Sequence, residues 1–386
     1  MKQGGPIRAL HFLHRLHTGG VGTWMIQLLR RLDRDALQID LVVQDDAEGL
    51  HEREALELGA NIVHITEPRQ LRRYSDRVRE VLRKHGPYDI VHAHMGHWSG
   101  LLLRLAAREH VPVRIAHSRL DVREVEQLAS PLWRPYYWLM RRWLDRYASA
   151  WWAVSNEAGV GQFGDQWYHD PRSHIFRSGI DLDPFTERPD RAAVRHELGL
   201  PANDPVIGHI GRFTNQKNHA FLVDIFAGVV EREPGARLLL VGEGELMSTV
   251  RERVESLGLG DRVHFAGSRP DVAQLLMGAM DVLVLPSLHE GLPRVALEAQ
   301  AAGLPLVIAN TISAELSVVD ELIHWRALSE SAEAWAQTIF DAIAKGSCLS
   351  PAEALNELRQ SLFNIDDSPE RLIKAYRQLT GRTTVT

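Results

Sequence analysis

The stretch Leu285-Pro286-Ser287-Leu288-His289-Glu290-Gly291-Leu292-Pro293-Arg294-Val295-Ala296-Leu297-Glu298-Ala299-Gln300-Ala301-Ala302 decides the fold class. The apolar run Val282 to Leu285 reads as a buried strand, Gly291-Leu292-Pro293 as a turn, and Arg294 to Ala302 as a helix with proline at its start. A strand that passes straight into a helix is one unit of a parallel sheet. The first turn of such a helix leaves backbone N–H groups unpaired, and its dipole adds roughly half an elementary positive charge there. An anion such as a diphosphate fits beyond the strand's C-terminal edge. Glu290 falls in the loop at that edge and Glu298 inside the helix, spaced to hold different parts of one extended ligand, for instance a sugar ring and a ribose. An isolated helix glutamate is more often only a solvated carboxylate.

The same alternation runs outward in both directions. In the second half, strands are expected at Val206 to Ile210, Arg237 to Val241, Val263 to Ala266, Val282 to Leu285 and Leu306 to Ile308, with helices between them. In the first half they are expected at Arg8 to Leu13, Gln38 to Val43, Asn61 to Ile65, Ile90 to Ala93, Val113 to Ala116 and Ala150 to Val154. The pattern is α/β: two Rossmann-like, doubly wound domains in tandem. The turn-rich Ser178-Gly179-Ile180-Asp181-Leu182-Asp183-Pro184 marks the joint, which divides residues 1–180 from 181–365. A last helix, Ser368 to Leu379 within residues 366–386, is expected to cross back to the first domain.

At 386 residues the chain exceeds what one core usually serves, so two domains agree with its length. A hydrophobic fraction of 45% and a charged fraction of 24% describe a globular protein and exclude a disordered one. The single cysteine, Cys348, excludes an internal disulfide and a cysteine-rich zinc site, and a reducing cytoplasm is the expected compartment. No run approaches the ~20 apolar residues of a spanning helix. The net charge of −6 conceals an asymmetry: residues 1–180 hold 25 Lys+Arg against 21 Asp+Glu, the remainder 19 against 29. The two halves are therefore expected to meet different partners.

Several clusters fall at predicted strand ends. Gly208-His209-Ile210-Gly211-Arg212 with Lys217 places a planar fork of donors and a compact ammonium where a strand gives way to a helix, the residue types best matched to phosphate oxygens. Thr18-Gly19-Gly20-Val21-Gly22 follows the first strand, but no Gly-x-Gly-x-x-Gly can be drawn through it, which disfavours a hydride-transfer enzyme. Gly19 and Gly20 suit a phosphate or sugar oxygen resting on backbone N–H groups, or an ordinary tight turn. His117 ends the Val113 strand, and its imidazole is expected to emerge at the same sheet edge, as a sugar contact or as a structural histidine. Ser268 and Arg269 end another strand and are placed to read or stack on a base, or to serve only as a connecting loop. His92 and His94 invite a metal reading, but no carboxylate or cysteine completes a ligand set in the sequence, so neither a metal nor another cofactor is expected.

Trp133 to Tyr147 interleaves aromatics with arginine, as a peripheral contact with anionic membrane does; the same pattern also describes a helix with an aromatic core face. The acidic whole and the lack of a binding module argue against nucleic acid.

Taken together, Gly19-Gly20, His117, Gly211-Arg212 with Lys217, and Glu290 with Glu298 resemble the retaining glycosyltransferases of the family-four type with the GT-B fold, and most of all bacterial capsule and exopolysaccharide enzymes. The resemblance covers nearly the whole chain and is most specific from Phe265 to Glu315. It implies two Rossmann-like domains facing a central cleft, the first for an acceptor and the second for the donor. It implies that Arg212 and Lys217 hold the diphosphate of a nucleoside-diphosphate sugar, Glu298 the ribose hydroxyls, and Glu290 with the backbone of Gly291, Leu292 and Pro293 the donor sugar. His117 would contact the sugar near the reacting carbon. A UDP-sugar and a glycan or lipid-linked acceptor on the cytoplasmic side are the expected substrates. One departure is Arg177-Ser178-Gly179, where relatives usually carry Pro-Asn-Gly. A nucleotide-sugar epimerase and a non-catalytic nucleotide-sugar sensor remain as alternatives from other classes.

Overall fold

Strands buried on both faces of a parallel sheet need near-continuous apolar sequence, and the runs that have it form the centre of each sheet. The computed structural model describes residues 5–16, 20–45, 49–66, 70–123, 130–346 and 349–382. They fall into two units, residues 1–179 with 365–386 and residues 180–364.

In the first unit, β1 (Ile7–Leu13), β2 (Leu37–Val43), β3 (Ile62–His64), β4 (Ile90–Ala93), β5 (Val113–Ser118), β6 (Ala150–Ala153) and β7 (Ser173–Ile175) form a sheet in the order β3-β2-β1-β4-β5-β6-β7. In the second, β8 (Val206–Ile210), β9 (Arg237–Val241), β10 (Val263–Gly267), β11 (Val282–Leu285), β12 (Leu306–Ala309) and β13 (Ile323–Arg326) run β10-β9-β8-β11-β12-β13. All these pairings are parallel. The order turns back between β1 and β4 and again between β8 and β11. Such switch points are where open α/β sheets open a crevice at their strands' C-terminal ends.

The sequence reading misses β7 and β13, and both are edge strands. Ser173-His174-Ile175 and Ile323-His324-Trp325-Arg326 are polar enough to sit half-buried, and edges are where strands carry such residues. It also misses the helices Ala332–Lys345 and Pro351–Gln360, the second opened by a complete capping box from Ser350 and Glu353. The helix Ser368–Thr380 packs on the first unit, where Leu372, Ile373 and Tyr376 join the core that holds Trp24 and Trp152.

Candidate active site

In the second unit, the loops after β8 and β11 flank the switch point and are tied to each other. Residues Asn215–Lys217 form a single 3-10 turn, and Asn218, in the left-handed region at φ 54°, reverses the chain into the helix His219–Arg232. That turn directs two side chains at the β11 loop. Lys217 Nζ donates to Glu290 Oε1 at 2.6 Å, and Gln216 Nε2 donates to Glu290 Oε2 and to the His289 carbonyl, both at 3.0 Å. The Leu288 amide donates back to the Gln216 carbonyl at 2.8 Å. From the loop after β12, Thr311 Oγ1 donates to the Ser287 carbonyl at 2.8 Å.

Glu290 is therefore buried, 7% exposed, with one oxygen on a cation and the other on an amide. An ammonium has three donors, so Lys217 keeps capacity for a further anion beside Glu290. Directly after Glu290, Gly291-Leu292-Pro293 leads into the helix Arg294–Ala301, whose start has no side-chain cap. Within that first turn the Ala296 amide donates to the Pro293 carbonyl at 3.0 Å, and the positive end of the helix dipole lies beside Glu290. Glu298 lies one helical turn along from Arg294, whose guanidinium is 3.9 Å away. Burial pushes the Glu298 carboxyl up from its ordinary value, with Arg294 opposing.

Arg212 belongs to the same β8 loop as Lys217 and is exposed; among the described residues no ion pair or hydrogen bond engages its guanidinium. The loop's backbone is clamped from beside it. The Gly211 amide donates to the Val241 carbonyl at 2.9 Å and the Phe213 amide to the Glu243 carbonyl at 3.0 Å. This approach requires glycine at Gly242 and Gly244, with φ of 136° and 159°. A Cβ at Gly242 would lie 2.1 Å from the Gly211 carbonyl oxygen, and one at Gly244 2.5 Å from that of Phe213. Beneath the loop, the buried ring of His219 stacks on Phe213, with centroids 4.1 Å apart, and meets His209 edge-on at 4.6 Å. Burial and the nearby Lys217 hold His219 down at about 4.

Ser268 is exposed just beyond β10. Arg269 is committed to carboxylates, with Nε 2.8 Å from Asp271 and Nη2 2.6 Å from Asp271 and 2.8 Å from Glu197. With Nε and Nη2 so engaged, any stacking by Arg269 would use the face of the guanidinium.

In the first unit, Gly20 opens the helix Gly20–Arg31, and Gly19 lies outside the described residues. His117 departs from expectation. β5 extends through Ser118, so His117 is inside the strand, and its ring is 0% exposed instead of emerging at the edge. It stacks on His92 at 5.1 Å and meets Trp152 edge-on. His11, His92 and His94 bring nitrogens within 4.8 Å of one another, a grouping that could hold a metal ion. Those nitrogens are already hydrogen-bonded: His11 Nδ1 lies 3.0 Å from His94 Nε2, Arg119 Nε donates to His94 Nδ1 at 3.1 Å, and the two nitrogens of His92 meet the Tyr376 hydroxyl and His117. A metal would have to part the two rings beside a guanidinium, so the residues present fit a hydrogen-bonded cluster better than a cation site.

Sequence reasoning missed Gln216 as the second ligand of Glu290, although it adjoins Lys217. It also missed His11, Arg119 and Tyr376 as partners of the histidines; only the His92-x-His94 spacing, which puts two rings on one face of a strand, was a signal. On the helix Arg134–Tyr147 only Met140 and Leu144 are buried, while Leu132, Trp133 and Trp138 nearby are 88%, 56% and 63% exposed.

Comparison with known proteins places the chain among sugar transferases. Residues 190–361 match the family model for glycosyl transferases group 1, and residues 18–184 the model for Glycosyltransferase Family 4. The chain is 33% identical over 346 residues to EpsF of Bacillus subtilis (strain 168), itself classed as a glycosyltransferase, covering 88% of each. It is 30% identical over 238 residues to the UDP-Gal:alpha-D-GlcNAc-diphosphoundecaprenol alpha-1,3-galactosyltransferase of Escherichia coli, covering 59% of each. Among solved structures, HepE of Anabaena in complex with UDP and glucose superposes with a TM-score of 0.80 at 20% identity, over 96% of this chain and 100% of that one.

Proposed function

Because the chain belongs to the family-four-type glycosyltransferases of GT-B fold, and so transfers a sugar from a nucleotide-sugar, we propose that its donor is a UDP-sugar bound by the second unit, and that it retains the anomeric configuration. The observation that carries this reading is Glu290 held by Lys217 and Gln216 directly before an uncapped helix start at the sheet's switch point. Lys217, Arg212 and the Gly291 to Pro293 backbone hold the diphosphate, Glu290 orients the sugar, and Glu298 accepts from the ribose hydroxyls. Ser268 and Arg269 lie on the base side. A UDP-sugar is favoured by the names of two relatives, which specify UDP-Gal and bound UDP.

In this mechanism the bond from the anomeric carbon to the phosphate oxygen breaks while the acceptor oxygen bonds to that carbon on the same face. The acceptor's proton passes to the departing phosphate oxygen. Charge develops on the diphosphate, and preorganised cations and amides stabilise it there. Lys217 and Arg212 supply the neutralisation that a divalent ion supplies in other transferases, so the reaction is proposed to be metal-independent.

The first unit takes the acceptor, a glycan or lipid-linked glycan of surface polysaccharide synthesis. Exposed Leu132, Trp133 and Trp138 beside Arg134 and Arg142 suit peripheral contact with an anionic, inner-face membrane. No helix among the described residues is long and apolar enough to cross a bilayer.

The test is incubation with UDP-glucose, UDP-galactose and UDP-N-acetylglucosamine plus a polyprenyl-diphosphate-linked sugar. An α-linked product from an α-linked donor supports the reading. A β-linked product, or an isomerised free nucleotide-sugar with no transfer, contradicts it.

A further inference from the structure

Six side chains of the first unit form one unbranched hydrogen-bonded series inside the protein. Arg119 Nε lies 3.1 Å from His94 Nδ1; His94 Nε2 lies 3.0 Å from His11 Nδ1; His11 Nε2 lies 2.9 Å from the Tyr376 hydroxyl; that hydroxyl lies 2.6 Å from His92 Nδ1; and His92 Nε2 lies 2.9 Å from His117 Nδ1. All four histidines and the tyrosine are buried. Trp24, Trp152 and Phe176 wall the series in.

A neutral imidazole has one donor and one acceptor nitrogen, and a guanidinium has donors only. Those two facts, together with the need of the buried phenol hydrogen for an acceptor, fix every proton. Arg119 must donate, so His94 Nδ1 accepts and His94 Nε2 carries the hydrogen. His94 then donates to His11 Nδ1, leaving His11 Nε2 to donate to the tyrosine oxygen. The phenol hydrogen points to His92 Nδ1, and His92 Nε2–H points to His117 Nδ1. The last ring carries its hydrogen on Nε2, which is buried and has no side-chain partner among the described residues; the Phe176 backbone also engages this ring. The neutral state is what burial favours: desolvation pushes all four histidines down, and Arg119 acts in the same direction on each, directly after burial at His11 and His117 and behind neighbouring rings at His92 and His94, while the Phe176 backbone opposes at His117.

We propose that this series is a one-way relay that locks His117 in the Nε2–H tautomer, so that His117 is a hydrogen-bond donor and not a general base, and that Tyr376 of the C-terminal helix is its positioning residue. Resting on the reading that His117 serves a sugar-binding enzyme, the relay removes general-base action from it; in this structure its Nε2–H is enclosed in the core. Reversing the series would need Arg119 to accept a hydrogen bond, which no guanidinium does. The relay therefore has a fixed polarity, unlike a proton wire that resets. Arg119 is itself set by Ser178, whose hydroxyl it also contacts, and by the Trp24 ring 4.4 Å away.

The test is nitrogen NMR of the full chain labelled with ¹⁵N only in histidine, which distinguishes protonated from unprotonated ring nitrogens without any substrate. Wild type is expected to show His117 with Nε2 protonated and Nδ1 bare, and His92 and His94 in the same tautomer. In Tyr376→Phe, His92 loses its donor, the His92–His117 pair becomes free to take either direction, and both His117 resonances move to intermediate positions. Arg119→Met releases the series from its other end and serves if the first variant does not fold. Arg119→Lys, which still only donates, is expected to keep the wild-type pattern. A wild-type His117 protonated on Nδ1, or on both nitrogens, overturns the proposal, as does an unchanged His117 in both disrupting variants. Stoichiometric metal whose removal shifts the His11, His92 and His94 resonances also overturns it. Because no sugar is present, a failure of the transferase reading leaves this spectrum unaffected.

Discussion

Lys217 Nζ lies 2.6 Å from Glu290 Oε1, joining residues 73 positions apart in sequence at the switch point of the second sheet. Both side chains are nearly buried, at 14% and 8% exposure, so removing one partner leaves the other charge uncompensated. Glu290→Ala is expected to lower kcat/KM for the nucleotide-sugar ten- to hundredfold, about 1.5–3 kcal/mol for a hydrogen bond to a charged group. Steady-state kinetics on donor and acceptor check this, with circular dichroism to confirm folding.

Gly242→Ala is expected to destabilise the second unit by about 2 kcal/mol and to weaken nucleotide binding, because φ of 136° and the Gly211 carbonyl both oppose a side chain. Gly258→Ala is the control. Gly258 also has positive φ, at 68°, but nothing within 4 Å of its added Cβ, so it should lose about 1 kcal/mol and leave nucleotide binding intact. Thermal unfolding with and without UDP separates the two.

Glu298 titrates above the ordinary glutamate value because it is buried. As pH falls through that raised value, the carboxylate gains a proton and loses acceptor capacity, so KM for the donor should rise on the acid side. Glu298→Gln is expected to raise KM about tenfold at neutral pH and to flatten this acid limb. A pH profile of KM for both proteins decides it.

The first unit should be acid-sensitive. His11, His92, His94 and His117 are held neutral when folded, His11 down to about 3, and titrate near 6.5 when unfolded. Between those values only the unfolded chain takes up these protons, so stability is lost as pH drops below 6.5, at a slope approaching about 1.4 kcal/mol per pH unit for each histidine. Trp24 and Trp152 pack against these rings, and their fluorescence should report the transition during acid titration. Unfolding that is flat from pH 7 to 4 would contradict it.

The chain reads legibly wherever local pattern and burial agree. Val206–Ile210, Arg237–Val241 and Val282–Leu285 are bounded as expected because parallel strands buried on both faces are continuous apolar runs. The neighbouring loops carry the residues proposed for the donor site in plain view. What sequence could not supply was pairing: Gln216 with Glu290, Arg269 with Glu197, and Tyr376 with His92 and His11, the last two partners 284 and 365 residues away. His117 was misplaced for a related reason. Two more residues of strand, through Ser118, carry its ring from the sheet edge into the core, and strand ends are the least determined part of any local pattern.

If Lys217 and the loops around Glu290 form the diphosphate site of a UDP-sugar, calorimetric titration of UDP into wild type and Lys217→Ala reveals it most directly. Saturable one-to-one binding to wild type is expected, with at least tenfold weaker binding to the folded variant, the loss of about 1.5 kcal/mol or more that follows removal of a charged hydrogen bond to phosphate. Equal affinity of the two proteins for UDP would contradict a diphosphate site at Lys217.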